Sequence, residues 1–382
     1  MPSSAPTDMT PPLHTPLHDL HLQLGARMGP FAGYAMPLQY PAGLLTEHRH
    51  TRAEGCASLF DVSHMGQISV SGPGAAAALE RVLPIDVMDL PLHHQRYALL
   101  LAPHGGILDD LMVVRRDHDF LLVVNAARKA EDLQWLQQHI GQDCHLHLLP
   151  DQALLALQGP GAAAVLQQLA PGSSQLRFMQ GMPLQFEGAP AYATRSGYTG
   201  EDGFELSLGA DHATALARWL LAQPQVQPAG LGARNSLRLE AGLCLYGSDV
   251  QSIHTPMSAR LQWSIPQVRR TGGAREGGFV GASTVLPEIS GQQPVNMQRV
   301  GLQALERVPV RDGTTLHLPQ SLAIGSVTSG LLSPTLDVPI AMAYVPTAHS
   351  APGTLLHAMV RGRPIAVEVT PLPFVATRYC KS

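Results

Sequence analysis

Apolar and polar residues alternate over Gly105-Gly-Ile-Leu-Asp-Asp-Leu-Met-Val-Val114, and after a polar break an apolar run follows as Phe120-Leu-Leu-Val-Val-Asn125. A period of two predicts a strand, with Asp110, Met112 and Val114 on one face and Asp109, Leu111 and Val113 on the other. The break at residues 115–119 reads as a turn. If Asp117 and His118 form a two-residue loop, Arg116 pairs with Asp119, and counting outward sets Asp110 opposite Asn125. Asp-His is not a pair favoured in such loops, so a slip of one residue is the competing register. A half-buried carboxylate with no cation beside it in sequence points to hydrogen bonding or proton handling, because burial disfavours its charge. The plainer reading fits this stretch equally well: one acid caps a turn and the other meets solvent.

Helical spacing predicts helices over residues 15–25, 44–55, 73–82, 128–140, 160–169 and 230–242. In the first, Thr15 is the expected N-cap, Pro16 the first helical residue and Gly25 the stop. Strands are expected within residues 58–70, with Ile68 and Val70 on one face, and over 95–101, 144–148, 153–157 and parts of 178–192. The Gly, Pro and aromatic residues of 28–40 read as an ordered loop that lines something. His64 reads as a structural hydrogen bonder ahead of a ligand or base. The alternating His145 and His147 read as a solvated face. This rhythm describes an α+β protein with layers of the split βαβ kind.

Three glycines, Gly197, Gly200 and Gly203, imply a tight turn. Beyond it Phe204, Leu206 and Leu208 face the core and Glu205 points the other way, either a carboxylate fixed on a rigid strand or a solvated edge residue. Within 230–242, Arg234 and Arg238 lie one helical turn apart. An arginine near a helix start opposes the macrodipole, so Arg234 is expected to have an acidic or ligand partner. Residues 269–278, with four glycines, read as a linker or long loop. Six short strands then follow at 300–304, 314–318, 324–328, 340–344, 355–361 and 365–369, which predicts a small all-β barrel or sandwich.

The chain has 382 residues, enough for two or three domains, and its 45% hydrophobic and 14% charged residues imply a substantial interior. With 25 basic against 29 acidic residues there is no global field for nucleic acid or an anionic membrane. Cys56, Cys144, Cys244 and Cys380 show no Cys-x-x-Cys and no zinc-like spacing, so free thiols in a reducing compartment and no metal are expected. The first twelve residues lack a basic, apolar leader or any arginine, and no stretch approaches the roughly 20 apolar residues of a membrane span. Cytoplasm is the expected address.

In order along the chain, Thr15-Pro-Leu, Pro30-Phe-Ala-Gly, Phe60-Asp-Val-Ser-His-Met65, Gly105-Gly-Ile-Leu-Asp-Asp110, Leu155-Ala-Leu-Gln-Gly-Pro160, Gly197-Tyr-Thr-Gly-Glu-Asp-Gly203, Gly232-Ala-Arg234 with Leu237-Arg-Leu-Glu-Ala-Gly242, and Thr328-Ser-Gly330 resemble the aminomethyltransferase, or T-protein, family of the glycine cleavage system. The resemblance runs from near Thr15 to Tyr379. It implies three domains in a cloverleaf around a central channel for tetrahydrofolate, with two interleaved α+β domains in residues 15–270 and a β-barrel in 295–379. It also implies transfer of an aminomethyl group from the lipoyl arm of a carrier protein to tetrahydrofolate, with release of ammonia.

Carried over by position, the resemblance makes Asp110 the catalytic acid beside the folate nitrogens. Asn125, Glu205 and Arg234 become folate contacts, Tyr198, Tyr97 and Met65 channel-lining residues, and Tyr379 a terminal residue that closes the site. Tyr34 departs from the family's usual Trp and Asn235 from its usual Asp, and Ser252-Ile-His-Thr-Pro-Met257 lacks the acids often found before that Thr-Pro; these departures bear on substrate choice. Two other activities are compatible with the same fold: a folate-dependent demethylase of a small methylated amine or sulfonium compound, and a non-catalytic folate-holding protein serving iron-sulfur assembly. The latter typically carries a cysteine-containing signature that this chain lacks.

Overall fold

The computed structural model describes residues 11–319 and 322–381, so most of the amino-terminal stretch read above as leader-free lies outside the described residues. The alternating stretch forms the strand Ile107–Arg115 and the apolar run the strand Phe120–Val124. They pair antiparallel with Met112 opposite Val123 and Arg115 opposite Phe120, and the Arg116 amide donates to Asp119 O at 2.8 Å. This is the register with Asp117 and His118 in the loop. A slip of one would turn Leu111 and Val113 out of the core and Asp110 into it.

That hairpin lies in a five-stranded sheet, ordered Gln95–Leu101, Ile107–Arg115, Phe120–Val124, Gly66–Ser71 and His145–Leu148. Helices Ala75–Val82 and Lys129–Ile140 cover one face, burying Ile68, Val70, Leu79, Leu111, Val113, Leu122, Leu136 and Ile140 together. A six-stranded sheet runs Gly181–Phe186, Ala189–Thr194, Gly203–Gly209, Gln152–Gln158, Ala57–Asp61 and Val226–Pro228, with helices Ala162–Leu169 and Ala210–Leu221 on its outer core. The free faces of the two sheets meet through Phe60, Val62, Val114, Leu121, Val123, Leu154 and Ala156. Phe120–Val124 therefore feeds two cores at once, which is why it is apolar without a break. The chain leaves the six-stranded sheet after Asp61, builds the five-stranded one, and returns at Gln152, so the two lobes interleave.

The six carboxy-terminal strands, Met297–Ala304, Thr315–His317, Ala323–Leu332, Pro339–Pro346, Leu355–Val360 and Arg363–Thr370, close into a barrel around Val300, Leu302, Val327, Ala343, Leu356, Ile365 and Val367. Beyond Thr370 the chain runs back over the other lobes. The Val375 amide donates to Glu240 O, Arg378 to Gly200 O, and Phe178 to Cys380 O.

The fold departs from the sequence reading in four places. Residues 28–40 form a hairpin, Arg27–Phe31 and Tyr34–Gln39, with Ala32 and Gly33 at positive φ in its tight turn; Pro30 and Pro37 hid it, since proline is scarce within strands. The first helix is only His18–Gln23, and the Thr15 hydroxyl, expected as its cap, instead donates to Asp61 Oδ2 at 2.6 Å. Helices Ala210–Leu221 and Ala282–Ile289 were not expected. Residues 269–278 are no loose linker: the buried Arg269 guanidinium donates to the carbonyls of Glu80, Ile85, Arg275 and Gly277 and pins the segment.

Candidate active site

Where the lobes meet lies a cavity of about 1600 Å³, walled by both sheets, by helix Leu231–Glu240, by barrel strand Ala323–Leu332 and by the carboxy-terminal tail. Met65, Tyr97, Asp110, Asn125, Tyr198, Glu205, Arg234 and Tyr379, the residues singled out from sequence, all line it.

Asp110 is half-buried and turned into this cavity. Its Oδ1 accepts from Asn125 Nδ2 at 2.9 Å and its Oδ2 from the Tyr97 hydroxyl at 2.9 Å. Burial, and then the Asp109 carboxyl next door, push its pKa up to about 7, while the bonds from Tyr97 and Asn125 work downward. The group can therefore hold or release a proton near neutrality. Burial keeps the Tyr97 hydroxyl protonated far above its ordinary range, so it stays a donor. Asp109, its neighbour in sequence, is 0% exposed and faces the opposite core.

Glu205 lies on an interior strand, opposite Ala156 on one side and Thr194 on the other, so it is not an edge residue. Its Oε2 accepts from Ser196 Oγ at 2.8 Å. The glycine turn that precedes it is tightly built: Gly200 takes φ 76°, and a Cβ on Gly197 would come within 1.8 Å of Gln158 Oε1. Tyr198, within this turn, lines the cavity, and its hydroxyl donates to Cys244 O.

Arg234 and Arg238 do share a helix side but have opposite fates. Arg238 Nη1 binds Asp249 Oδ2 at 2.5 Å, Nη2 reaches Ser329 Oγ at 2.8 Å, and Nε reaches Asn235 Oδ1 at 2.9 Å. Asn235, a departure from the family pattern, thus supports Arg238. Arg234 lies with its guanidinium carbon 4.8 Å from the Tyr198 ring centroid, and its Nη1 is buried without a hydrogen-bond partner. Burial lowers its pKa from the usual arginine range, opposed by Glu205. A buried, unsatisfied guanidinium donor facing a cavity is a place where a ligand acceptor fits.

His64, read from sequence as a hydrogen bonder, has a buried Nδ1 without a partner and packs edge-on against Phe31 at 5.5 Å and Tyr34 at 6.3 Å. Burial pulls its pKa down to about 4, so the ring is neutral at physiological pH. The Tyr34 hydroxyl accepts from Lys129 Nζ at 2.5 Å. Tyr379 stacks on Phe178 with centroids 4.2 Å apart. Trp263, stacked on Tyr97 at 5.3 Å, was missed because it lies in a segment without periodicity. Among the described residues no group of three or more His, Cys, Asp or Glu is placed to hold a metal ion, and no helix is long and apolar enough to cross a membrane.

An interleaved pair of α+β lobes and a β-barrel thus enclose one acid-centred cavity. The GCVT N-terminal domain model matches residues 17–268 and the glycine cleavage T-protein C-terminal barrel domain model residues 298–376. The chain is 39% identical to the mitochondrial aminomethyltransferase of Dictyostelium discoideum, covering 96% of this chain and 93% of that protein. It is 41% identical to the probable mitochondrial aminomethyltransferase of Schizosaccharomyces pombe, over 96% of this chain and 94% of that one. The crystal structure of glycine cleavage system aminomethyltransferase T from Bartonella henselae superposes with a TM-score of 0.90 at 45% identity, covering 97% of this chain and 99% of that one. The chain belongs to the glycine cleavage T-protein family and is an enzyme of the aminomethyltransferase class.

Proposed function

We propose that this enzyme takes the aminomethyl group from the lipoyl arm of the glycine cleavage carrier protein and passes its carbon to tetrahydrofolate, with Asp110 as the catalytic residue. The observation that carries the proposal is the Asp110 carboxyl, poised near neutral pKa in the wall of a cavity large enough for both reactants. In the transfer two folate N–H protons leave and two C–N bonds form at the carbon, while its bonds to sulfur and nitrogen break. One proton ends on the lipoyl sulfur and one on the departing ammonia. Asp110 in its ionised form accepts the first of these protons and orients the folate amine toward the carbon.

The remaining residues fit the folate by their chemistry. Glu205 offers the acceptor pair that adjacent amino and ring N–H donors of a pterin need. The unsatisfied Nη1 of Arg234 suits a carboxylate or carbonyl oxygen of the folate. Tyr97, Tyr198 and Met65 give apolar walls, Asn125 holds Asp110, and Tyr379 closes the cavity from the tail. The division into 15–270 and 295–379 belongs to the same reading. For the compartment we propose the cytoplasm, supported by the free thiols of Cys56, Cys144 and Cys244; the relatives named above are mitochondrial proteins.

The test is to mix the purified enzyme with aminomethylated lipoyl carrier and tetrahydrofolate, and separately with free methylated amines or sulfonium compounds and tetrahydrofolate. Ammonia and methylenetetrahydrofolate in equal amounts from the first mixture alone are expected. Turnover of the free small molecules with none from the carrier overturns the proposal in favour of a demethylase.

A further inference from the structure

Behind Asp110 lies a second pair of acids that the transfer step above does not use. Asp109 points away from the cavity, beneath helix Lys129–Ile140, and Asp132 of that helix meets it there; they are 0% and 1% exposed. The two buried carboxyls lie against each other, and each shifts the proton affinity of the other. With both ionised, that contact has no proton, and neither Asp132 oxygen has any other donor. Arg128 does not supply one: its Nε stays 4.0 Å from Asp132 Oδ1, and its guanidinium lies over the Tyr246 ring. On its other side Asp109 receives Asn125 Nδ2 at 2.8 Å and the Asn125 backbone N–H at 3.2 Å.

We propose that Asp109 carries a buried proton, donated to Asp132, and that this neutral acid is the positioning residue for Asn125 and through it for Asp110. The proton gives Asp132 its missing donor and leaves a carboxyl oxygen of Asp109 to accept from the Asn125 amide. One Asn125 N–H then goes to Asp109 and the other to the Asp110 side, where Oδ1 and the main-chain oxygen lie at 2.9 and 3.1 Å. A neutral Asp109 also removes a negative charge from beside Asp110. Burial first, then the contact with Asp132, raise the pKa of Asp109, with the Asn125 bonds acting against them. The charged and titratable groups around the pair are Asp110 and Tyr97 on the sheet, Arg128 and Glu131 at the helix start, and Tyr246 from the loop over it. The functional half of the proposal rests on Asp110 being the catalytic residue; the proton itself does not.

Carboxyl carbon-13 shifts of the aspartate-labelled enzyme, followed from about pH 5 to about pH 9, read the proton directly. The Asp109 and Asp132 signals are assigned by their loss in Asp109→Asn and Asp132→Asn. The Asp109 signal is expected at the protonated position through neutral pH; both signals at the carboxylate position at pH about 6 overturn the proposal. In turnover, Asp109→Asn keeps an acceptor toward Asn125 and a donor toward Asp132. It is expected to lower kcat less than about tenfold with the pH midpoint of kcat unmoved, whereas Asp109→Ala lowers kcat about 100-fold. Equal losses in the two variants, or a midpoint falling by about one unit in Asp109→Asn, contradict it. If the wild type turns over nothing with carrier and tetrahydrofolate, the reading of the reaction fails, and the carboxyl shifts still decide the proton.

Discussion

Asn125, just beyond the end of the adjacent strand, donates to Asp110 Oδ1 at 2.9 Å, and the same amide nitrogen reaches Asp109 Oδ1 at 2.8 Å. One carboxamide thus fixes two neighbouring acids that face opposite sides of a sheet. Asn125→Ala removes the bond that holds Asp110 in place without removing Asp110 itself. The expected result is a fall in kcat of about 10- to 100-fold with a smaller change in KM, measured by steady-state kinetics. An unchanged kcat would show that Asp110 is held well enough by Tyr97 alone.

Asp110→Asn should separate activity from stability. The folded-state pKa of Asp110 is raised from 3.8 to about 7, so the stability available with the group protonated is lost as pH rises from about 4 through about 7. A neutral amide avoids that loss. At pH about 8 the variant should therefore be the more stable protein by about 1–3 kcal/mol, with the difference vanishing below about pH 4, as denaturant unfolding would record. A variant less stable at every pH would mean that Asp110 is not desolvated as described.

Glu240 binds the barrel to the rest of the enzyme. Its carboxylate receives Arg52 Nε at 3.0 Å, the Ser333 hydroxyl at 2.5 Å and the Thr335 hydroxyl at 2.7 Å, with His48 Nε2 at 3.2 Å. Burial opposes its charge, but the bonds from His48, Ser333 and Thr335 outweigh it and hold the pKa down to about 2. Glu240→Gln should cost about 1–3 kcal/mol at neutral pH, because it weakens the charge-assisted hydrogen bonds from Arg52, Ser333 and Thr335, while Arg52 keeps its ion pair with Glu201. A depressed pKa gives stability above about 4.5 that is lost as pH falls toward 2, so the penalty should shrink in acid. Thermal unfolding over that range checks both the size and the slope.

Tyr379 reaches the cavity only because the tail after the barrel is tied to Glu240, Gly200 and Phe178 by backbone hydrogen bonds. Tyr379→Ala removes its stack on Phe178 and opens that wall. KM for tetrahydrofolate should rise about 5- to 20-fold with kcat changed less, since the ring acts on binding rather than on proton transfer.

Much of this was legible in the chain because local patterns agreed with the fold. The hairpin register followed from counting outward from Asp117 and His118, and the glycine turn before Phe204 correctly placed Glu205 opposite the core residues. The six barrel strands were marked by turns and alternation. What escaped was fixed by contacts distant in sequence. The hairpin at 27–39 is broken by two prolines, and the order of 269–278 depends on Arg269 reaching carbonyls nearly 190 residues away. Asp132 looks like an ordinary first-turn acid; only folding brings it against Asp109. Trp263 sits in irregular chain, where no period marks a position.

The most direct measurement is a single turnover of wild type and Asp110→Ala with aminomethylated lipoyl carrier and tetrahydrofolate, following ammonia and methylenetetrahydrofolate together. The wild type should release both in step, and Asp110→Ala should do so about 100- to 10,000-fold more slowly while still binding tetrahydrofolate. Equal rates from the two enzymes would contradict a catalytic Asp110.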